Sequence, residues 1–174
     1  DVVSKMDWTN PNNRGGYSIP IAEWTIMRIL EMLKNSREFY KQQEEKIWKM
    51  DTSLLELYGK NVGFIGTGSI AQETAKRLKA FGVNIIGFNF SGRNAEYFDE
   101  IYKIGEIENL APKLDILVIA APYTKETHHL VDEKVFNSMI FVIKIIPIFI
   151  DKIMGMFDII DRSSLQMSFI KFKT

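Results

Sequence analysis

The sequence contains no cysteine in its 174 residues, which excludes disulfides, thiolate metal sites and a cysteine nucleophile. It has no charge excess either: 22 Lys and Arg stand against 22 Asp and Glu. Nothing electrostatic therefore points to nucleic acid or an anionic membrane as partner. Only 2 histidines occur, and no His, Asp and Glu set has metal-ligand spacing. No run of about 20 nearly uncharged residues is present, so no membrane anchor is expected. There is no basic-then-apolar leader, no Gly-x-Ser-x-Gly elbow and no Gly-Lys-Thr phosphate loop. What remains, 46% hydrophobic and 25% charged residues, is ordinary globular composition with room for one domain, or one plus an arm. A cytoplasmic location is the expectation, as is a native start upstream of Asp1.

The most informative stretch is Val62-Gly63-Phe64-Ile65-Gly66-Thr67-Gly68-Ser69-Ile70-Ala71. A short apolar run ends in Gly66-x-Gly68-x-x-Ala71 and passes at once into an amphipathic run, Gln72 to Phe81. A strand that turns sharply into a helix leaves the first helical N–H groups, here those around Ser69 and Ile70, without partners. With the positive end of the helix dipole they suit a pyrophosphate. Gly66 permits the turn, Gly68 lets phosphates approach the backbone, and Ala71 lets helix and strand pack closely.

The surroundings supply the context such a motif needs. Gly82 is placed to stop the helix, and Val83–Phe88 is a second apolar strand, completing a βαβ unit with parallel strands. Tyr97–Leu110 reads as a short helix, a brief strand near Ile101–Ile104 and another helical turn. Leu114–Ala121 reads as a strand buried on both faces. Asp132–Met139 reads as a helix capped by Asp132. Ligands of an open parallel sheet sit past the carboxyl ends of its strands, so the loops after Ile65, Phe88 and Ala121 converge on one crevice. That crevice collects Asn89, Ser91, Arg93, Ala121, Pro122 and Thr127. Upstream, Ile21 to about Met50 reads as one long helix, apolar first and polar from Glu38 onward, a strut crossing between two bodies. Residues 140–174 turn dense in Ile and Phe without a clear period, which suggests one or two edge strands or a packed tail. The fold class is thus α/β, an incomplete Rossmann-type doubly wound parallel sheet with a long N-terminal crossing helix.

Four stretches resemble the D-isomer-specific 2-hydroxyacid dehydrogenases, the family of D-3-phosphoglycerate, glycerate and D-lactate dehydrogenases. They are Ser18–Trp24 with its helix, Glu56–Gly66, Ala80-Phe81-Gly82, and Asp115 through Thr127-His128-His129-Leu130. They span about residues 7–139 in the family's order. The resemblance implies an NAD or NADP cofactor, a small 2-hydroxy or 2-oxo acid as substrate, and a homodimer. It implies hydride transfer at the nicotinamide C4, with an arginine on the carboxylate and a histidine backed by a glutamate moving the proton. It also implies a division into a substrate-domain remnant with the linking helix (1–57), a dinucleotide-binding domain (58–139) and a divergent apolar tail (140–174).

The family's Arg-Gly step is absent from Ile140–Lys152, and its glutamate and histidine belong farther along than Thr174. Asp158, Asp161, Arg162, His128 and His129 receive no catalytic role. A truncated or frame-shifted copy is one expectation, and a non-catalytic nucleotide-binding or dimerising module is the alternative to a dehydrogenase. An S-adenosylmethionine-dependent transferase fits the glycine turn but not the Pro122–Thr127 loop or the leading helix. At the strand end where NAD sites place an acid, this chain has Asn89, with Arg93 following. The missing carboxylate removes a repulsion and the guanidinium adds an attraction for a 2′-phosphate, so the reading leans to NADP.

Overall fold

The computed structural model describes residues 18–122, 124–139 and 144–145. Helix α1 (Ser18–Leu33) and helix α2 (Ser36–Glu44) precede strand β1 (Asn61–Ile65), helix α3 (Ser69–Leu78) and strand β2 (Asn84–Asn89). Strand β3 (Glu100–Lys103), helix α4 (Ile107–Leu110), strand β4 (Ile116–Ile119), helix α5 (Glu133–Ser138) and strand β5 (Lys144–Ile145) follow. The strands form one sheet in the order β3-β2-β1-β4-β5, every neighbouring pair parallel.

The period of two along each strand decides which residue faces which helical layer. Val62, Phe64, Ile85, Ile116 and Val118 pack with Ile29 and Leu33 of α1 and Ala71, Ala75 and Leu78 of α3. Ile65, Ile86, Phe88, Leu117 and Ile119 point the other way, onto Ile107, Ala111, Val131, Val135 and Met139. Helices therefore cover both faces of the sheet, which is why its central strands read as unbroken apolar runs. The doubly wound α/β expectation holds.

Helix α3 ends as its sequence requires. Lys76 and Arg77 lie in its last turn, where cations oppose the negative dipole end. A one-turn 3-10 segment, Lys79–Phe81, then closes on Gly82 at φ 68. A Cβ on Gly82 would fall 2.7 Å from the Tyr58 ring, and the Gly59 N–H donates to the Gly82 carbonyl at 3.0 Å. The stretches around Tyr58-Gly59 and Phe81-Gly82 thus form one contact, 23 residues apart in sequence. Asp132 caps α5 as expected, its Oδ1 accepting from the Val135 N–H at 2.9 Å.

Three expectations need correction. The leading helix does not run unbroken to Met50: it stops at Leu33, Asn35 takes a left-handed φ of 46, and α2 ends at Glu44. The physical reason lies downstream, because residues 51–55 fold back on the break. The Leu55 N–H donates to the Leu33 carbonyl at 3.0 Å, Lys34 Nζ to the Leu55 carbonyl at 2.9 Å, and the Asn35 amide to Asp51 at 3.0 Å. The helix expected to start at Tyr97 is absent; Tyr97 sits in a turn at φ 70. Strand β4 is short, Ile116–Ile119 rather than Leu114–Ala121. In the 140–174 segment the described residues are Lys144 and Ile145, an edge strand beside Leu117 and Val118. The remainder of that segment, and residues 1–17, lie outside the described residues.

Candidate functional site

All strands run the same way, so the ends of β1, β2 and β4 open on one side of the sheet. The turn after β1 is clamped from both flanks. The Gly66 N–H donates to the Phe88 carbonyl at 2.8 Å, and the Ala120 N–H to the Ile65 carbonyl at 2.8 Å. Gly66 has φ +90, and a Cβ there would lie 2.9 Å from the Ala121 nitrogen and 3.0 Å from the Ala120 carbonyl oxygen. Both the torsion and the packing therefore demand glycine.

Gly68 differs. Its φ of −74 is open to any residue, and a Cβ there would meet nothing within 4 Å. Within this chain neither strain nor packing calls for glycine at this position. It is the N-cap of α3, a ten-residue helix, and no side chain caps that end. Ser69 is exposed and Ile70 half-buried beside it. An uncapped helix N-terminus next to open space can receive an anion against the backbone. The turn itself is braced by the Gln72 amide, which donates to the Thr67 carbonyl at 2.9 Å.

The turn after β2 is built around Asn89. Its Nδ2 donates to Thr67 Oγ1 at 3.0 Å and to the Arg93 carbonyl at 2.9 Å. Its Oδ1 accepts from the Gly92 N–H at 2.6 Å and the Ser91 hydroxyl at 3.3 Å. Gly92 takes a left-handed φ of +66. Arg93 is exposed, and its guanidinium has no hydrogen bond or ion pair among the described residues.

The turn after β4 is stapled by Thr127. Fully buried, its hydroxyl donates to the Pro122 carbonyl at 2.9 Å and accepts from the Thr124 N–H at 2.7 Å. The Thr124 hydroxyl, with the Glu126 backbone N–H, holds the Glu126 carboxyl below its usual range. His128 and His129 are exposed on this loop with their rings stacked 3.8 Å apart.

The fold thus brings together the ends expected from sequence: Gly66, Gly68, Ser69 and Ile70 after β1, Asn89, Ser91 and Arg93 after β2, Ala121 and Pro122 after β4. Two of the expected residues are turned inward. Thr127 offers no exposed surface, and the Asn89 amide is engaged on both its hydrogens and its oxygen. Thr67 was not singled out from sequence, since the glycine motif leaves that position open. In the fold its hydroxyl meets Asn89, and its methyl lies 2.8 Å from where a Gly87 Cβ would stand. Among the described residues no group of three or more His, Cys, Asp or Glu could hold a metal ion, and no helix is long and apolar enough to cross a membrane.

Residues 26–146 match the model of the D-isomer specific 2-hydroxyacid dehydrogenase NAD binding domain. The chain is 31% identical over 116 residues to a D-3-phosphoglycerate dehydrogenase of Methanocaldococcus jannaschii, covering 66% of this chain and 22% of that protein. It is 31% identical over 141 residues to a D-lactate/D-glycerate dehydrogenase of Pediococcus acidilactici, covering 80% and 42%. Among solved structures it resembles a probable 2-hydroxyacid dehydrogenase from Rhizobium etli in complex with NADP, HEPES and L(+)-tartaric acid. There the TM-score is 0.64 at 27% identity, over 71% of this chain and 38% of that one. The chain thus spans less than half the length of these relatives.

Proposed function

The chain belongs to the D-isomer-specific 2-hydroxyacid dehydrogenase family, and on that premise we propose that its crevice binds a nicotinamide dinucleotide. The observation that carries this reading is Gly68, a glycine facing open space at the uncapped end of α3. A side chain there would fill the space in which a pyrophosphate meets the backbone. The residues present fit the group: the N–H donors at Ser69 and Ile70, at the uncapped start of α3, would hold the phosphates, and Gly66 holds the turn beside Ala121. Such a cofactor would supply hydride chemistry at its nicotinamide C4, which relatives named as dehydrogenases use on 2-hydroxy acids. What these residues do is bind and orient, fixing the cofactor's position along the strand ends.

The adenosine end is proposed to favour NADP over NAD. The end of β2 carries no carboxylate to repel a 2′-phosphate, and Arg93 presents a guanidinium with no partner among the described residues. Ser91 adds a hydroxyl to the same turn. A homodimer is proposed as well, supported by the exposed apolar run Ile47, Trp48 and Met50 after α2.

The residues that would grip and protonate a substrate are not found in this sequence, since no Arg-Gly step occurs in Ile140–Lys152. Binding without turnover is therefore the activity proposed for these 174 residues. The test is a fluorescence titration of NADPH and NADH against the purified chain, with hydroxypyruvate turnover assayed in parallel. Saturable binding with NADPH tighter supports the reading. Equal or tighter NADH refutes the preference, no binding of either refutes the site, and turnover refutes the restriction to binding.

A further inference from the structure

Asn89 stands where a residue would be expected to contact the adenosine ribose directly, yet its amide has no group left for that task. Its two Nδ2 hydrogens go to Thr67 Oγ1 and the Arg93 carbonyl, and its Oδ1 takes the Gly92 N–H and the Ser91 hydroxyl. A side-chain amide has two donors and one oxygen with two lone pairs, so all its capacity is used inside the protein. Two of its partners lie on different loops: Thr67 belongs to the phosphate turn after β1, Arg93 to the turn after β2.

We propose that Asn89 is a positioning residue that ties the phosphate turn to the Ser91-Gly92-Arg93 turn through Thr67, so that nucleotide choice is set by the held turn rather than by Asn89 itself. This rests on the nucleotide-binding reading given above. Ser91 supports the same device from within the turn, its Oγ accepting the Arg93 N–H at 3.2 Å. With Asn89 holding the Arg93 carbonyl and Ser91 holding its N–H, the backbone that carries the guanidinium is fixed on both sides. Gly92 at φ +66 makes the turn possible.

The arrangement explains why an acid is not equivalent here. A carboxylate at position 89 keeps the bonds from the Gly92 N–H and the Ser91 hydroxyl. It cannot donate to Thr67, whose hydroxyl would have to turn and donate instead, and it sets a charged oxygen against the Arg93 carbonyl, now 2.9 Å from the amide nitrogen. Introducing the residue type usual for NAD should thus release the Arg93 end of the turn instead of converting the specificity.

Two variants of the full chain separate the possibilities. Thr67→Val keeps the methyl that packs on Gly87 and removes only the hydroxyl; Asn89→Asp places the acid. The first readout is amide hydrogen exchange at Gly92 without nucleotide. Loss of one hydrogen bond from the tie predicts exchange roughly two- to tenfold faster in Thr67→Val, and unchanged exchange overturns the proposal. The second readout is the ratio of NADPH to NADH affinity. Asn89→Asp should weaken NADPH about tenfold or more without tightening NADH, and Thr67→Val should narrow the ratio. A gain of NADH affinity in Asn89→Asp overturns the proposal, because Asn89 would then be reading the ribose. If no form binds either nucleotide, the binding reading fails, while the exchange result still decides the tie.

Discussion

A methyl group on Gly66 would lie 2.9 Å from the backbone nitrogen of Ala121. The first strand's turn and the fourth strand's exit therefore share a surface with no room for a side chain. Because the neighbour is backbone, it cannot move aside as a flexible side chain would.

Gly66→Ala adds this clash to a residue held at φ +90. The expected loss is about 2–4 kcal/mol of folding stability, read from denaturant unfolding. Gly68→Ala is the counterpart. With φ −74 and open space around it, it should leave stability within about 1 kcal/mol of the parent, or raise it slightly. Its nucleotide affinity should nevertheless fall about tenfold or more. Normal binding by Gly68→Ala would remove the main support for the proposed site.

Phe64 is fully buried at the sheet centre and meets Phe98 edge to face, with ring centroids 5.5 Å apart. Phe64→Ala should cost about 3–5 kcal/mol in unfolding measurements, since it removes a whole aromatic side chain from a layer that cannot collapse around the gap. A loss under about 1 kcal/mol would contradict the packing described.

Thr127→Val keeps the shape of a fully buried side chain and deletes its hydroxyl. The Pro122 carbonyl and the Thr124 N–H would each lose a partner. We expect about 1–3 kcal/mol of destabilisation, with faster amide exchange at Thr124. A reduction in nucleotide affinity should follow only through the shape of the loop.

Acid should weaken the fold through two carboxylates. At Asp99 burial acts to raise the carboxyl, but the Lys79 hydrogen bond, the Ile85 N–H and the Lys79 charge outweigh it and hold it below its ordinary 3.8. Asp51 is lowered to about 2 by the Ser53 hydroxyl, the Asn35 amide and the Ser53 N–H. A depressed folded-state value means the unfolded chain binds the proton first. The stabilisation is therefore present above the unfolded value of 3.8 and is lost as pH falls through the folded value. Midpoints of urea unfolding should be flat near neutrality and decline below about pH 4. Asp51→Asn and Asp99→Asn should each lower the neutral-pH midpoint and flatten the decline.

Local rules carried the sequence a long way. Strand β1, helix α3, its stop at Gly82 and the cap at Asp132 all follow from short-range requirements on torsion, periodicity and unpaired N–H groups, which neighbouring residues satisfy by themselves. The glycine turn and the collinear stretches from Ser18 to Leu130 identified the family for the same reason: each is a local device whose spacing survives in one dimension. The break in the leading helix was not legible, because helical periodicity continues through Asn35 and the groups that hold the break open, Asp51 and Leu55, lie far along the chain. The same holds at the crevice. Sequence placed Asn89 and Thr127 among residues facing a ligand, and residue type alone says nothing about where an amide or hydroxyl finds its partner. Only the tertiary structure brings Thr67 to Asn89, and only the path of the loop brings Pro122 to Thr127; a short polar side chain bonds to whichever complementary group the fold sets within about 3 Å of it.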